Sequence, residues 1–378
     1  MFETKKIREP LFHITKRAPM PIWKTILIRV SAVLIAILLS SVIIILITGQ
    51  NPFSIFKSMF HGAFGDAATQ AKAGVADTRR RLLQEMAILL SIALAITPAF
   101  KMKFWNIGAQ GQVLMGALLS AIIARDLGVS LEKTDFGNAV NLILMILAGA
   151  FGGALWAVIP AIFKAKWNTN ETLFTLMMNY IVICLIGVVR KIWEPNNDSI
   201  IIANGHFPDL FGQKYVGILL FAIALTVFMF FYLKKSKHGY EISLVGESVN
   251  SAKYAGISVT KITIRTLILS GAICGVVGAM LVGSIDHNIS ASLDRGYGFT
   301  AILVSWLAKF NPLFMILTSF LVVFFLKGGA QLADDFGKYG VTNSFGDIII
   351  GIIFFFIIGC EFFISYSIKF HKKKKAGN

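Results

Sequence analysis

The chain has 378 residues, of which 56% are hydrophobic and only 15% charged, with 32 Phe, a mean hydropathy of +0.72 and a formal net charge of +16. A water-soluble globule of this length needs more polar surface than that, so a soluble enzyme or nucleic-acid binder is excluded. Apolar runs longer than the roughly 20 residues that cross a hydrocarbon layer instead predict an all-α, polytopic membrane helix bundle, since only helices satisfy every backbone amide within one span.

In chain order, residues 1–24 form a basic tail with six Lys and Arg. The apolar run that follows, 25–48, is about twice a secretory h-region and lacks a small-residue cleavage pattern, so it reads as a retained anchor. Pro52 to Ala63 is amphipathic and suits the membrane interface. The triplet Arg79, Arg80 and Arg81 then stands just before the second span without an obvious role. Further spans are predicted near 82–100, 107–124, 139–162, 172–189, 215–233, 263–283, 298–308, 313–327 and 347–368, about ten in all, with 298–308 too short to cross unaided. A second basic tail, 369–378, closes the transmembrane region of 25–368.

An even number of spans puts both termini on one face. Alternating the loops gives that face 21 Lys and Arg against 5 acidic residues, and the other face 13 of each. The positive-inside rule makes the terminal face cytoplasmic. The basic excess is therefore an orientation signal beside anionic lipid, with no nucleic-acid partner implied.

Little covalent chemistry is on offer. His13, His61, His206, His238, His287 and His371 are scattered, and Cys184, Cys274 and Cys360 lie singly in apolar spans, so neither a metal site nor a disulfide framework is suggested. No Walker-type loop or nucleophile elbow occurs, and no cofactor or catalytic residue is expected. Arg29 and Arg265 sit near span ends and can snorkel. Glu361 is an isolated intramembrane acid that a proton relay would need, the basis of an alternative reading as a stand-alone secondary transporter. Glycine triplets such as Gly149, Gly152 and Gly153, or Gly271, Gly275 and Gly278, imply close helix packing.

Two polar clusters interrupt apolar surroundings. FWNIGAQGQVLMGALLSA, from Phe104, sets Asn106, Gln110 and Gln112 among glycines, and NTNETLFTLMMNYI, from Asn168, carries Asn170, Glu171 and Asn179. Amides beside helix breaks either line a path for a polar solute or hydrogen-bond neighbouring helices. The stretch 234–261, KKSKHGYEISLVGESVNSAKYAGISVTK, places Ile242, Val245, Val249 and Ala252 at helical intervals between Gly239 and Gly256. It predicts a short amphipathic helix on the cytoplasmic surface.

These blocks, with GAFG (from Gly62), LSGAICGVVGAM (from Leu269) and GYGFTAILVSWLAKFNP (from Gly296), occur in the order seen in bacterial ABC importer permeases of the sugar, nucleoside and branched-chain amino acid superfamily. The chain resembles that family from about residue 50 to 350, and most resembles the longer permease of nucleoside importers. The resemblance implies a type II-like importer permease that performs no catalysis itself. It implies work with a cytoplasmic ABC ATPase, a second and related permease in a heterodimer, and an extracytoplasmic substrate-binding lipoprotein, in a bacterial cell membrane. Nucleosides are the cargo it favours, with simple sugars as the alternative. It further implies that 239–257 is the coupling helix, with Gly239, Tyr240, Glu241, Gly246, Ala252 and Gly256 as candidate coupling residues. Asn106, Gln110, Gln112, Asn170, Glu171 and Asn179 become candidates for the translocation path. Ser243 and Leu244 replace a frequent Arg-Ala, Gln110 a common Glu, and Lys309 a usual Gly, so an arginine contact to the ATPase and a pathway carboxylate are in doubt.

Overall fold

The computed structural model describes residues 12–17, 20–49, 51–65, 75–128, 134–342 and 344–370. Thirteen helices are seen among them: α1 (Ile22–Thr48), α2 (Pro52–Phe64), α3 (Val75–Lys101), α4 (Ala109–Asp126), α5 (Asp135–Trp167), α6 (Glu171–Trp193), α7 (Val216–Lys235), α8 (Lys237–Glu247), α9 (Val249–Tyr254), α10 (Val259–Met280), α11 (Tyr297–Leu307), α12 (Pro312–Phe336) and α13 (Ser344–Ser365). Four short strands accompany them: β1 (Phe12–Lys16), β2 (Ile200–Ile201), β3 (Asn288–Ile289) and β4 (Tyr366–Phe370).

Each of the ten expected spans has a helix over it. Eight helices are long and apolar enough to cross a membrane. The other two are α4, whose 18 residues include Gln110, Gln112, Arg125 and Asp126, and α11, whose 11 residues reach only about 16 Å at 1.5 Å per residue. The amphipathic segment after the first span is α2. The arginine triplet belongs to the extended start of α3, where Arg79 Nε donates to the Phe64 carbonyl at 3.3 Å, a cation answering an open helix C-terminus. The side chains of Arg29 and Glu361 lie outside the described ones, as do residues 371–378 of the basic tail.

The chain forms two units, residues 1–62 with 325–378, and residues 63–324. In the first, α1 packs along α13, and β1 pairs antiparallel with β4 so that Phe12 opposes Phe370 and Lys16 opposes Tyr366. Residues 12–16 and 366–370 thus run side by side. Ser58 of α2 donates to the Asp335 carboxylate, which Gln331 also meets at 2.9 Å.

The second unit is built around α10, which packs against α5, α4 and α3. Lipid offers no hydrophobic drive for helices to associate, so close backbone approach has to supply the contact. Glycines permit it: a Cβ at Gly153 would overlap the Gly271 carbonyl, one at Gly275 the Gly149 carbonyl, and one at Gly116 the Gly275 backbone. Hydroxyls cross-link α4 to α5 and α11 to α3, Ser120 Oγ donating to the Met145 carbonyl at 2.8 Å and Ser305 Oγ to that of Ala93 at 3.0 Å. α6 leans on α4 and α5 and leaves Leu173, Met177, Tyr180, Ile181 and Val188 exposed along its other face.

The connections gather at two ends of this unit. At one end meet 102–108, 168–170 and the α8–α9 hairpin. At the other, β2 pairs with β3 beside Leu281–Asp286, a π-helical turn that prolongs α10. This alternation is what consecutive crossings require.

Candidate translocation and docking sites

The path candidates separate into three groups. Asn106, Gln112 and Asn179 are within 1% of complete burial and point inward. Their partners follow from a backbone problem. The chain leaves helical geometry between α3 and α4, with Lys103 at φ 60°, and so exposes the first N–H groups of α4 deep inside the unit. Asn179 Oδ1 accepts from Gly111 N at 2.9 Å while its Nδ2 donates to the Ile107 carbonyl at 3.0 Å. Thr175 Oγ1 accepts from Ile107 N at 3.2 Å, and Asn106 Oδ1 accepts from both Gly108 N and Gln112 Nε2 at 3.1 Å. Asn106 Nδ2 reaches Ser270 Oγ of α10 at 3.3 Å. Gly111 makes this closure feasible, since a Cβ there would come within 2.8 Å of Asn179 Oδ1. These amides secure the helix break from α6 and α10.

Gln110 forms a second group with Asp294. Its Nε2 donates to Asp294 Oδ1 at 3.1 Å, while Asp294 Oδ2 accepts from Gly298 N at the start of α11. A glutamate at position 110 would set two carboxylates against each other, so the amide seen here fits its neighbour. Asn170 and Glu171 make the third group, at the lysine-rich end. Asn170 caps α6 by accepting from Thr172 N and Leu173 N, and Glu171 pairs with Lys164 at 2.8 Å.

The coupling candidates also divide. The expected amphipathic helix is a pair, α8 and α9, broken at Ser248, whose hydroxyl caps α9. Ile242, Val245 and Ala252 are buried with Met102, Phe104, Ala157, Ala161, Ile262 and Leu267, so the apolar stripe seats the hairpin on α3, α5 and α10. Val249, expected on that stripe, is turned outward by the break and is 45% exposed. Gly239 and Gly246 lie on the seated side; a Cβ at Gly246 would overlap the Lys101 carbonyl. Gly256 ends α9 with φ 73°, a left-handed conformation that suits glycine. Facing away are Tyr240 and Tyr254, 66% and 93% exposed. An open pocket of about 660 Å³ lies beside the hairpin, bordered by Lys103, Lys164, Glu171, Glu247 and Lys253.

Glu241 turns to the membrane helices. Its Oε2 accepts from Arg265 Nη2 at 2.9 Å, and His238 Nδ1 stands 3.5 Å away. The hydrogen bond from Arg265 holds the Glu241 carboxyl below its ordinary range. Arg265, expected to snorkel, is instead held by a carboxylate.

The far end carries residues the sequence did not flag. Arg295 binds Glu85 of α3 at 3.2 Å and Asp286 at 2.6 Å, and Tyr297 Oη donates to Glu85 at 2.8 Å. His206 and His287 lie ring against ring at 4.1 Å, with Lys214 Nζ 3.4 Å from His287 Nε2. No periodic cue marks either cluster, because the partners lie up to 212 residues apart.

A family described as branched-chain amino acid transport system / permease component matches residues 78–358. The chain is 28% identical to a guanosine ABC transporter permease of Bacillus subtilis over 91% of its own length and 97% of that protein. It is 27% identical to a nucleoside ABC transporter permease of Lactococcus lactis, over 88% and 91% of the two chains. A glucose ABC transporter permease of Haloferax volcanii is 28% identical over 74% and 76%. No solved structure matches. The long apolar helices and these likenesses agree: the chain belongs to the branched-chain amino acid transport system permease component family and is a polytopic helical permease of an ABC transporter.

Proposed function

We propose that this permease imports nucleosides, with simple sugars as the second choice, and that it works with a separate cytoplasmic ATPase, a second related permease and an extracytoplasmic substrate-binding lipoprotein. The observation that carries the reading is the α8–α9 hairpin. Its apolar stripe is fused to the core of the bundle, while Tyr240, Val249 and Tyr254 stand free on the other side. A segment that only joined two spans would need no such seat. On this reading the lysine-rich end, with both chain termini, is cytoplasmic, and the exposed apolar face of α6 borders lipid or the second permease.

Nucleosides come first because two nucleoside or guanosine permeases match nearly end to end, whereas the glucose permease matches over about three quarters. ATP-driven closure of the ATPase pair would draw on the hairpin and turn the helices beneath it, opening the path alternately to each side. Asn106, Gln110, Gln112, Asn170, Glu171 and Asn179 stay candidates for that path, with the buried amides shaping the helix break beside it.

The test is reconstitution of the tagged complex into vesicles with labelled guanosine. Expected are ATP-dependent uptake by the complex, competition by other nucleosides but not by ribose or glucose, and loss of ATPase co-purification for Tyr254→Glu. Uptake by this chain alone, driven by an ion gradient, would overturn the reading.

A further inference from the structure

The contact between the docking hairpin and α10 has two components of different character. Ile242 and Val245 rest on Ile262 and Leu267 through apolar surface, which resists separation but permits sliding, because such contact is not directional. The Arg265–Glu241 bond is directional. It runs from the second turn of α10 to the first turn and a half of α8, with Tyr232 of α7 beside it. The Arg265 Nε group is buried without a hydrogen-bond partner, and Nη2 makes the bond to Glu241. With 37% of the Arg265 side chain exposed, an ion pair of this kind adds little stability of its own. It is well suited to fixing register between two helices that apolar packing would let slip.

We infer that Arg265 is the positioning residue that locks α8 to α10, so that displacement of the hairpin moves the central helix of the bundle instead of sliding over it. The inference rests on the reading of α8–α9 as the ATPase-docking hairpin. It assigns Glu241 a role different from contact with the ATPase: Glu241 is the inward half of the lock, while Tyr240 and Tyr254 remain outward. α10 is the natural recipient of the motion, since its glycines bring it into backbone contact with α4 and α5 and its far end carries Asp286 in the Arg295 cluster.

The experiment compares wild type, Arg265→Met, Glu241→Gln and the exchanged pair Arg265→Glu/Glu241→Arg in the reconstituted complex. Two readouts are taken: co-purification of the ATPase, and solute transported per ATP hydrolysed. Arg265→Met is expected to keep the ATPase and its basal turnover while transport per ATP falls about tenfold. The exchanged pair is expected to recover at least half of the wild-type ratio. An unchanged ratio in Arg265→Met overturns the inference, and so does a loss that the exchange does not recover, because that marks a general packing role. Tyr254→Glu separates the two levels of argument. If it keeps the ATPase bound, the docking reading fails, whatever the Arg265 variants do.

Discussion

The two ends of the larger unit solve the same problem, charge at a membrane boundary, in opposite ways. At the hairpin end Lys103, Lys166, Lys234, Lys235, Lys253 and Lys261 are exposed, and the surface carries open aromatic rings and an unfilled pocket. At the far end Arg295 sits between Glu85 and Asp286, Arg125 lies 4.3 Å over the Trp193 ring, and β2 and β3 stitch two loops together, although Lys191, Asp198, Asp209 and Lys214 stay exposed.

If that contrast holds, the far end should suffer most from loss of a charge. Arg295→Met removes one cation from beside two desolvated carboxylates and should cost about 3 kcal/mol, seen as a lower melting temperature of the detergent-solubilised protein. Equal melting temperatures for this variant and for Lys253→Met at the hairpin end would erase the distinction. Asn179→Ala probes the ground between the ends. It would strand the Gly111 N–H and the Ile107 carbonyl and should cost about 2 kcal/mol, with Thr175→Val somewhat milder. A neutral result would show that Asn179 faces the solute path and that water already serves those groups.

The smallest effect concerns pH. Burial first, then His206 and Lys214 nearby, hold the His287 imidazole below its ordinary value, with the Val282 backbone and then Asp209 pulling the other way. Over the interval between the lowered folded value and the unfolded value near 6.5, the unfolded chain binds more protons, so stability should fall as the medium is acidified through that interval. The loss should be the smallest of these effects. It should vanish in His287→Gln, measured as the melting temperature between pH 7.5 and 5.5.

Much of this was legible from the residues alone, for identifiable reasons. A span announces itself because 20 apolar residues in a row have few other uses, and all ten predicted spans carry helices. The amphipathic stretches at 52–63 and 237–254 were visible from their periodicity. What escaped was whatever depends on partners distant in sequence. Asn106 and Asn179 look alike whether they line a channel or fasten a broken helix. The structure shows them bonded to Gly108 and Gly111 because a break inside lipid needs donors and acceptors from elsewhere. Arg265 looked like a snorkelling residue since its partner, Glu241, belongs to a surface helix 24 positions earlier. Val249 was assigned to the wrong face because one serine restarts the helix and resets its phase. Strand pairs as short as Ile200–Ile201 with Asn288–Ile289 leave no pattern to read.

The crossing of α5 with α10 places main chain directly on main chain at Gly149, Gly153, Gly271 and Gly275. A crossing without side chains has no rotamer to yield and no flexible tip to bend. Any working stroke must therefore carry the two helices as a single beam and spend its flexing at the periphery. Even one methyl group at Gly275 would act as a wedge that no neighbouring residue could step aside to accommodate.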